Sequence, residues 1–349
     1  MINQDGVKKT FVATEACIPS NYSRLIAREL ELQVSELPML LDRTGLSVEQ
    51  FMQEDTLLTS RQQIQIVQNG LKLSNDERFG LRIGQRLTPP THGAMGFLAS
   101  SSPNLLIALK AFEAYIPTRL NFVRASMNAG DEWLEGFCYF DIEMREDILR
   151  CFAEAFAKIV FDCAEFILGR PLDEAIVCFT HAEPSYSQFY SDFLPGKFEF
   201  SSPRLMVKIP IDLCYIPNTS TNHENYLFAM RQCELMQAQL NSNRNTSKYQ
   251  IQKMMLEHPP GVLSEEEAAA ALFVSKRTLA RRLRKEETGF RQIRDEILSQ
   301  QAGDYLRESD MSVDAIAALL NYHDSANFRR AFKRWFQVSP DQYRQQYLE

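Results

Sequence analysis

No apolar run in this 349-residue chain approaches the ~18 residues that a membrane-spanning helix needs; Ala268–Val274 and Ala315–Leu320 are the longest. Lys8 and Lys9 precede a weakly apolar stretch, Phe11–Ile18, that Glu15 interrupts. Neither a secretory leader nor a membrane partner is therefore expected, and the expected location is the cytoplasm. The seven cysteines (Cys17, Cys138, Cys151, Cys163, Cys178, Cys214, Cys233) are odd in number, widely spaced and without a Cys-x-x-Cys pair. This excludes a disulfide framework and predicts reduced, mostly buried thiols. The five histidines (His92, His181, His223, His258, His323) stand alone, without zinc-ligand spacing. There is no phosphate-binding loop, dinucleotide fingerprint or nucleophile elbow, so no enzyme, cofactor or metal is expected.

Net positive charge is also lacking. The formal balance is -7, which taken alone argues against a nucleic-acid partner. Counted by region, the picture reverses. Ser264–Glu349 holds 14 basic and 14 acidic residues, strongly sorted, while the rest of the chain carries the whole deficit. Ser275–Lys285 has six basic and no acidic residues, and Ser325–Gln337 has four basic and none acidic.

Both basic runs fall in the same repeated context, offset by about 48 residues. LSEEEAAAALFV from Leu263 aligns with MSVDAIAALLNY from Met311, and SKRTLARRLRK then aligns with DSANFRRAFKR. In the first copy Ser264 and Glu267 form a capping box, with Leu263 and Ala268 placed as its hydrophobic staple. Ser275 offers the next cap about three residues after a helix end near Leu272, which is helix-turn-helix spacing. Ser312 and Asp324 take the same positions in the second copy.

The second helix of each copy divides its faces. Leu279 and Leu283 lie on one side, as do Phe328, Phe332 and Trp335. Arg277, Arg281 and Arg284 lie about 200° away, matched by Ala326, Arg330 and Lys333. Such a helix packs on one face and offers guanidinium forks on the other, as major-groove reading requires. Phe290–Glu308 reads as one helix, roughly 28 Å long at 1.5 Å per residue, able to set the two basic helices about one DNA turn (~34 Å) apart. Ser339-Pro340 opens a last short helix.

These residues resemble the DNA-binding domain of the AraC family of bacterial transcription regulators over Lys248–Tyr347, most specifically in Ile316–Arg344 with its Phe-Lys-Arg-x-Phe core and Ser-Pro-x-x-Tyr-Arg ending. Phe273, Asn321 and Gln337 stand where the family commonly has glycines. Asn accepts a left-handed backbone and Phe does so at a cost, so a first turn of different shape is expected. The resemblance implies Arg277, Ala280, Arg281, Ala326, Arg329 and Arg330 as base-facing. Lys276, Thr278, Arg284, Lys333 and Arg334 would be phosphate partners.

Asn241–Ser247 is polar and Asn-rich, the expected linker, which makes 1–240 one domain and 248–349 another. Helices are predicted at Ser20–Leu32, Ser47–Met52, Ser60–Leu71, Asn104–Tyr115 and Asp147–Leu168. Strands are predicted at Leu120–Ala125, Trp133–Ile142, Ala175–Thr180 and Leu205–Lys208. The expected class is α+β: a mixed α/β N-terminal domain followed by an all-α domain with two helix-turn-helix motifs joined by a long helix. Phe79–Gly84 with Gly93–Ile116 is similar to the effector-binding domain of the ornithine-regulator-like branch of the same family, over Ala27–Phe228. This implies a small-molecule effector, with His92, Arg119, Arg124, Trp133, Phe137 and Tyr139 as the pocket residues. Asn225–Leu240 fits a dimer helix and an intradomain packing helix equally. The implied partners are double-stranded DNA, an effector, RNA polymerase and a second copy of the chain. The alternatives are a ligand-responsive adaptor that binds a protein through its basic helices, and a redox sensor acting through Cys151, Cys163 or Cys178.

Overall fold

The computed structural model describes residues 16–244 and 246–345. Phe11–Glu15, weighed above as part of a leader, and Tyr347 lie outside the described residues. The chain divides into two compact units that meet in sequence between Ala238 and Gln239. The class is α+β.

In the N-terminal unit, β1 (Ala16–Pro19) and β2 (Leu57–Thr59) form a small antiparallel pair. Five strands form the main sheet: β3 (Val123–Ala129), β4 (Trp133–Phe140), β5 (Ile176–Cys178), β6 (Lys197–Glu199) and β7 (Met206–Pro210), in the order β3-β4-β7-β5-β6. Only the β5–β6 pairing is parallel. The longer helices that precede the last helix of this unit are α1 (Asn21–Glu29), α2 (Ser60–Ser74), α3 (Phe79–Arg86), α4 (Ala94–Ser101), α5 (Leu105–Tyr115) and α6 (Glu146–Leu168), with short helical turns at Leu37–Leu40, Val48–Met52 and Ile211–Cys214. Their starts follow sequence chemistry. Thr59 accepts from the Gln62 amide at 3.1 Å while the Gln62 side chain accepts from the Thr59 amide at 2.9 Å, a reciprocal cap that opens α2. Asn104 caps α5 through the Ile107 amide at 3.0 Å.

The glycines of Phe79–Gly84 let α3 lie directly on α6. A Cβ on Gly80 would sit 2.7 Å from Cys151 Cα and one on Gly84 3.2 Å from Ala155 Cα, so larger residues at these positions would force the helices apart.

α7 (His223–Arg244) corrects the expected linker: residues 241–244 are helical. Asn and Ser cost roughly half a kcal/mol each in a helix, and no Gly or Pro interrupts the run, so it continues. Within the first unit α7 buries Ala229 and Cys233, and Gln237 Nε2 donates to the Ala114 carbonyl at 3.1 Å. The inward stripe is thus an intradomain packing face.

The C-terminal unit is all helical: α8 (Ser247–Glu257), α9 (Glu265–Ala271), α10 (Lys276–Lys285), α11 (Phe290–Glu308), α12 (Val313–Leu319), α13 (Ser325–Phe336) and α14 (Pro340–Gln345). It holds two cores. Ile251, Leu263, Ala268, Leu279, Leu283 and Ile293 form the first. Leu298, Ala302, Ile316, Phe328, Phe332 and Tyr343 belong to the second. α11 contributes to both, as a strut shared by the two repeats. Each fully buried Leu or Phe here stabilises by roughly 1.5–3 kcal/mol. The Glu286 carboxylate closes the first repeat, accepting from the Ser247 and Lys248 amides at 2.9 and 2.7 Å where α8 begins.

The two turns overturn one expectation. Phe273 and Asn321 both adopt left-handed backbone, with φ of 55° and 60°, as does Gln337 at 63°. Phe273 and Val274 donate to the Ala270 and Ala269 carbonyls at 2.9 and 3.0 Å. Asn321 and Tyr322 donate to the Ala318 and Ala317 carbonyls at 3.0 and 2.9 Å. The first turn therefore has the same shape as the second despite its phenylalanine. The hydrogen bonds and the anchors on either side impose the geometry, and the Phe273 ring is left 97% exposed.

Candidate DNA interface and effector cavity

The basic helices are built as the face pattern predicts. Ser275 Oγ accepts from the Thr278 amide at 3.2 Å and opens α10; Asp324 Oδ1 accepts from the Asn327 amide at 2.6 Å and opens α13. Leu279 and Leu283 are buried on the inner side of α10, as are Phe328 and Phe332 on α13. On the outer side Arg277, Arg281, Arg284, Ala326, Arg330 and Lys333 are exposed, with Ala280 and Thr278 half-buried beside them. Among the described residues Arg277, Arg281 and Arg284 make no ion pair, so three guanidinium groups stand ready for an external anion.

Other cations of this surface are held internally. Lys276 Nζ lies 2.5 Å from Glu266 and 3.6 Å from Glu265. Arg334 lies 2.9 Å from Asp295. Arg329 pairs with Asp341 at the flank of α13, about 100° from its buried stripe, rather than extending from the outer stripe with Arg330. Sequence reading missed Asn327. Its side chain donates to Asp324 Oδ2 at 2.7 Å and accepts from Arg330 Nη2 at 2.6 Å, so the cap that starts α13 also aims Arg330. The signal was available in the Asp-x-x-Asn spacing, which places both side chains on the first turn. Beside it, Arg291 and Arg294 of α11 face a shallow cleft with Asn321, His323, Arg330 and Arg334.

The signature ending is explained by packing. Ser339 caps the Gln342 amide at 3.2 Å, Pro340 follows, and the Tyr343 ring lies 5.3 Å from Phe332 and 4.8 Å from Phe336. Tyr343 Oη is 2.6 Å from Arg307, and Arg344 donates to the Met311 carbonyl.

The N-terminal unit contains a cavity of about 110 Å³, several times the space one water needs. The inner face of the sheet (Val123, Ala125, Met127, Phe140) forms one wall, and α1, α2, α3, α5 and α6 form the others. His92 and Arg119 line it. Arg124, Trp133, Phe137 and Tyr139 do not, and the strand period is the reason. Val123, Ala125 and Met127 pair with Phe140, Cys138 and Gly136 on the cavity side, which turns Arg124 and the odd-numbered positions of β4 to the opposite face. There Phe137 and Tyr139 stack at 6.4 Å, with Arg204 and Arg124 over their rings, and Arg124 also grips Asp141 with two 2.6 Å hydrogen bonds.

At the polar end, His92 Nε2 donates to the Leu87 carbonyl at 3.2 Å, since a carbonyl only accepts, and Nδ1 then accepts from the Tyr22 hydroxyl at 3.1 Å. Burial pushes the His92 pKa down to about 4, against the pull of the Leu87 carbonyl and with help from the Arg119 charge. The imidazole is neutral at physiological pH. Burial raises the Tyr22 hydroxyl as well.

All seven cysteines are buried without disulfides, and burial pushes Cys151 and Cys163 up to about 12 and Cys178 to about 11. A redox sensor needs an accessible thiolate, which these positions do not supply. No helix among the described residues is long and apolar enough to cross a membrane.

Residues 36–213 match the family described as the arabinose-binding domain of AraC transcription regulators, N-terminal, and residues 268–346 match a helix-turn-helix domain. The chain belongs to the AraC family of transcription regulators. The AraC-family relatives include the ornithine utilization regulator of Pseudomonas aeruginosa, 28% identical over 290 residues that cover 80% of this chain and 82% of that protein. The regulator VqsM of the same organism is 25% identical, covering 76% of this chain and 83% of its own. The solved structure of the regulator CdpR from Pseudomonas aeruginosa aligns over 90% of this chain and 98% of that one, with 18% identity and a TM-score of 0.44. The relatives are regulators, not enzymes. The AraC-type protein thus combines an N-terminal effector-type domain with a DNA-binding helix-turn-helix domain.

Proposed function

We propose that this AraC-family protein is a cytoplasmic regulator in which residues 1–240 sense a small molecule and residues 248–349 bind double-stranded DNA, with α10 and α13 entering adjacent major grooves. The observation that carries the reading is the outward stripe of Arg277, Arg281 and Arg284, opposite buried Leu279 and Leu283, with its counterpart on α13. Arg277, Arg281 and Arg330 are the proposed base readers; Arg329 can join them only on release from its Asp341 pair at the flank of α13. Ala280 and Ala326 can touch only thymine methyl groups. Lys276, Thr278, Arg284, Lys333 and Arg334 neutralise or bond phosphates. Effector binding shifts the population of DNA-competent conformers. RNA polymerase is the proposed downstream partner. A second copy of the chain is the proposed partner of the outer side of α7, where Phe228 and Leu235 are exposed seven residues apart.

The test begins with genomic DNA captured by the full-length protein, followed by titration of the selected site by fluorescence anisotropy. Four cationic phosphate partners predict a slope of log affinity on log salt near -3.6, on the order of a hundredfold loss from 50 to 200 mM. A flat salt profile would contradict the DNA reading.

The ornithine utilization regulator's name suggests ornithine as a ligand for the cavity. A diamino acid would bring two ammonium groups into a lining that, among the described residues, contains no Asp or Glu. The relative's name therefore does not transfer to this cavity.

A further inference from the structure

We infer that the N-terminal cavity is built for an apolar monocarboxylate, with the carboxylate on the Arg119 guanidinium and the hydrocarbon body between the sheet and α6. The inference rests on the effector reading above and specifies its ligand class.

Charge decides the polar end. With His92 neutral, Arg119 is the single formal charge among the described residues that line the cavity. No carboxylate of the described residues pairs with it. Arg119 Nε lies 3.5 Å from Tyr22 Oη, a contact at the limit of a hydrogen bond, and its guanidinium carbon lies 5.6 Å from the centre of the Tyr22 ring. The two terminal nitrogens are each 3.5 Å from the point a Cβ on Gly93 would occupy. Gly93, at φ +59°, is therefore both a backbone requirement and the reason that no side chain crowds the fork. A guanidinium in a largely apolar cavity presents parallel donors that match a carboxylate in two bonds, and the low local dielectric strengthens them.

Shape and polarity decide the other end. Phe152, Phe156 and Ile159 of α6 and Met127, Phe140 and Ala125 of the sheet offer carbon and sulfur surface only. A sugar would leave hydroxyls unsatisfied there, and a dianion would leave one charge uncompensated beside a single cation. An ammonium would meet Arg119 as a like charge. An acid with one anionic end and an apolar body matches the single cation and the carbon-lined end of the site, while Gln63, also in the lining, already accepts from the Ser23 hydroxyl at 2.7 Å.

The test uses the full-length protein with four probes below their aggregation limits: decanoate, decan-1-ol, decylamine and L-ornithine. Calorimetric titration and thermal unfolding are predicted to rank decanoate at least tenfold tighter than decan-1-ol, with no binding of decylamine or ornithine. Arg119→Met is predicted to weaken decanoate ten- to a hundredfold and to leave decan-1-ol unchanged, a split that a merely misfolded variant would not give. Decylamine or ornithine binding as tightly as decanoate, indifference of decanoate to Arg119→Met, or no binding by any probe overturns the ligand class. The effector reading of the cavity fails separately if Ala155→Phe, which fills it, leaves a decanoate-induced change in DNA affinity intact.

Discussion

Arg334 Nη2 lies 2.9 Å from Asp295 Oδ2, joining the outer edge of α13 to the strut α11. The pair is half-exposed, so its own contribution to stability is small, about 0–1 kcal/mol. Its effect on DNA is larger, because Asp295 places a negative charge beside a proposed phosphate partner. Asp295→Asn is predicted to strengthen DNA binding and to steepen the salt slope by up to about one unit, with stability changed by less than ~1 kcal/mol. Weaker binding in an equally folded variant would show that the pair is needed to hold α13 in place.

Arg281 and Arg330 occupy matching places on the two basic helices, exposed and opposite the buried stripe. Arg281→Ala and Arg330→Ala are each predicted to cost about 1–3 kcal/mol in specific binding, with circular dichroism and melting unchanged. Asn327→Ala should reproduce part of the Arg330 loss, since the Asn327 carbonyl oxygen orients that guanidinium. Full affinity for the selected site in both arginine variants contradicts the assignment of faces.

Phe273 holds a left-handed backbone with its ring in solvent, so it bears the steric cost of that region without a packing gain. Phe273→Gly is predicted to stabilise the helix-turn-helix unit by about 1 kcal/mol, read as an upward shift in the denaturant midpoint. A loss of stability would mean that the exposed ring contributes more than its backbone costs.

The contrast between this turn and the rest of the domain shows where sequence reading reaches. Caps at Ser264, Ser275, Ser312 and Asp324 and the 3.6-residue face division were legible because local chemistry sets them. The left-handed Phe273 was not, because flanking helices already packed on Leu263 and Leu279 override a local preference. The long-range pairing of Arg329 with Asp341 left no periodic trace either. In the N-terminal unit aromatic residues and arginines were visible as residue types. Which of them face the cavity depended on strand phase, and β4 carries aromatics on both faces: Phe140 lines the cavity while Phe137 and Tyr139 do not.

Glu154 is fully buried between α3 and the 186–190 segment, and its Oε1 accepts from Tyr186 and Tyr190 at 2.6 and 2.7 Å. Burial raises its pKa to about 7, against the two tyrosine hydrogen bonds and the nearby Arg150 charge. A carboxyl whose folded pKa exceeds its unfolded value is protonated in the native state first. Its contribution is therefore most favourable below about pH 4.5 and is lost as pH rises toward about 7, at up to ~1.4 kcal/mol per unit. Glu154→Gln keeps an acceptor for the tyrosines and removes the titration. The variant should gain on the parent by a few kcal/mol between pH 5 and 8 in chemical denaturation. Parallel pH profiles would place the carboxylate in an environment that solvates its charge.

The central claim is that one chain carries two arginine-bearing helices that read two successive major grooves. Hydroxyl-radical footprinting of the full-length protein on its genomic site tests it most directly. The account predicts two protected blocks centred about 10–10.5 base pairs apart on one side of the duplex, with Arg281→Ala weakening one block and Arg330→Ala the other. A single block, or equal loss across both blocks in each variant, would contradict it.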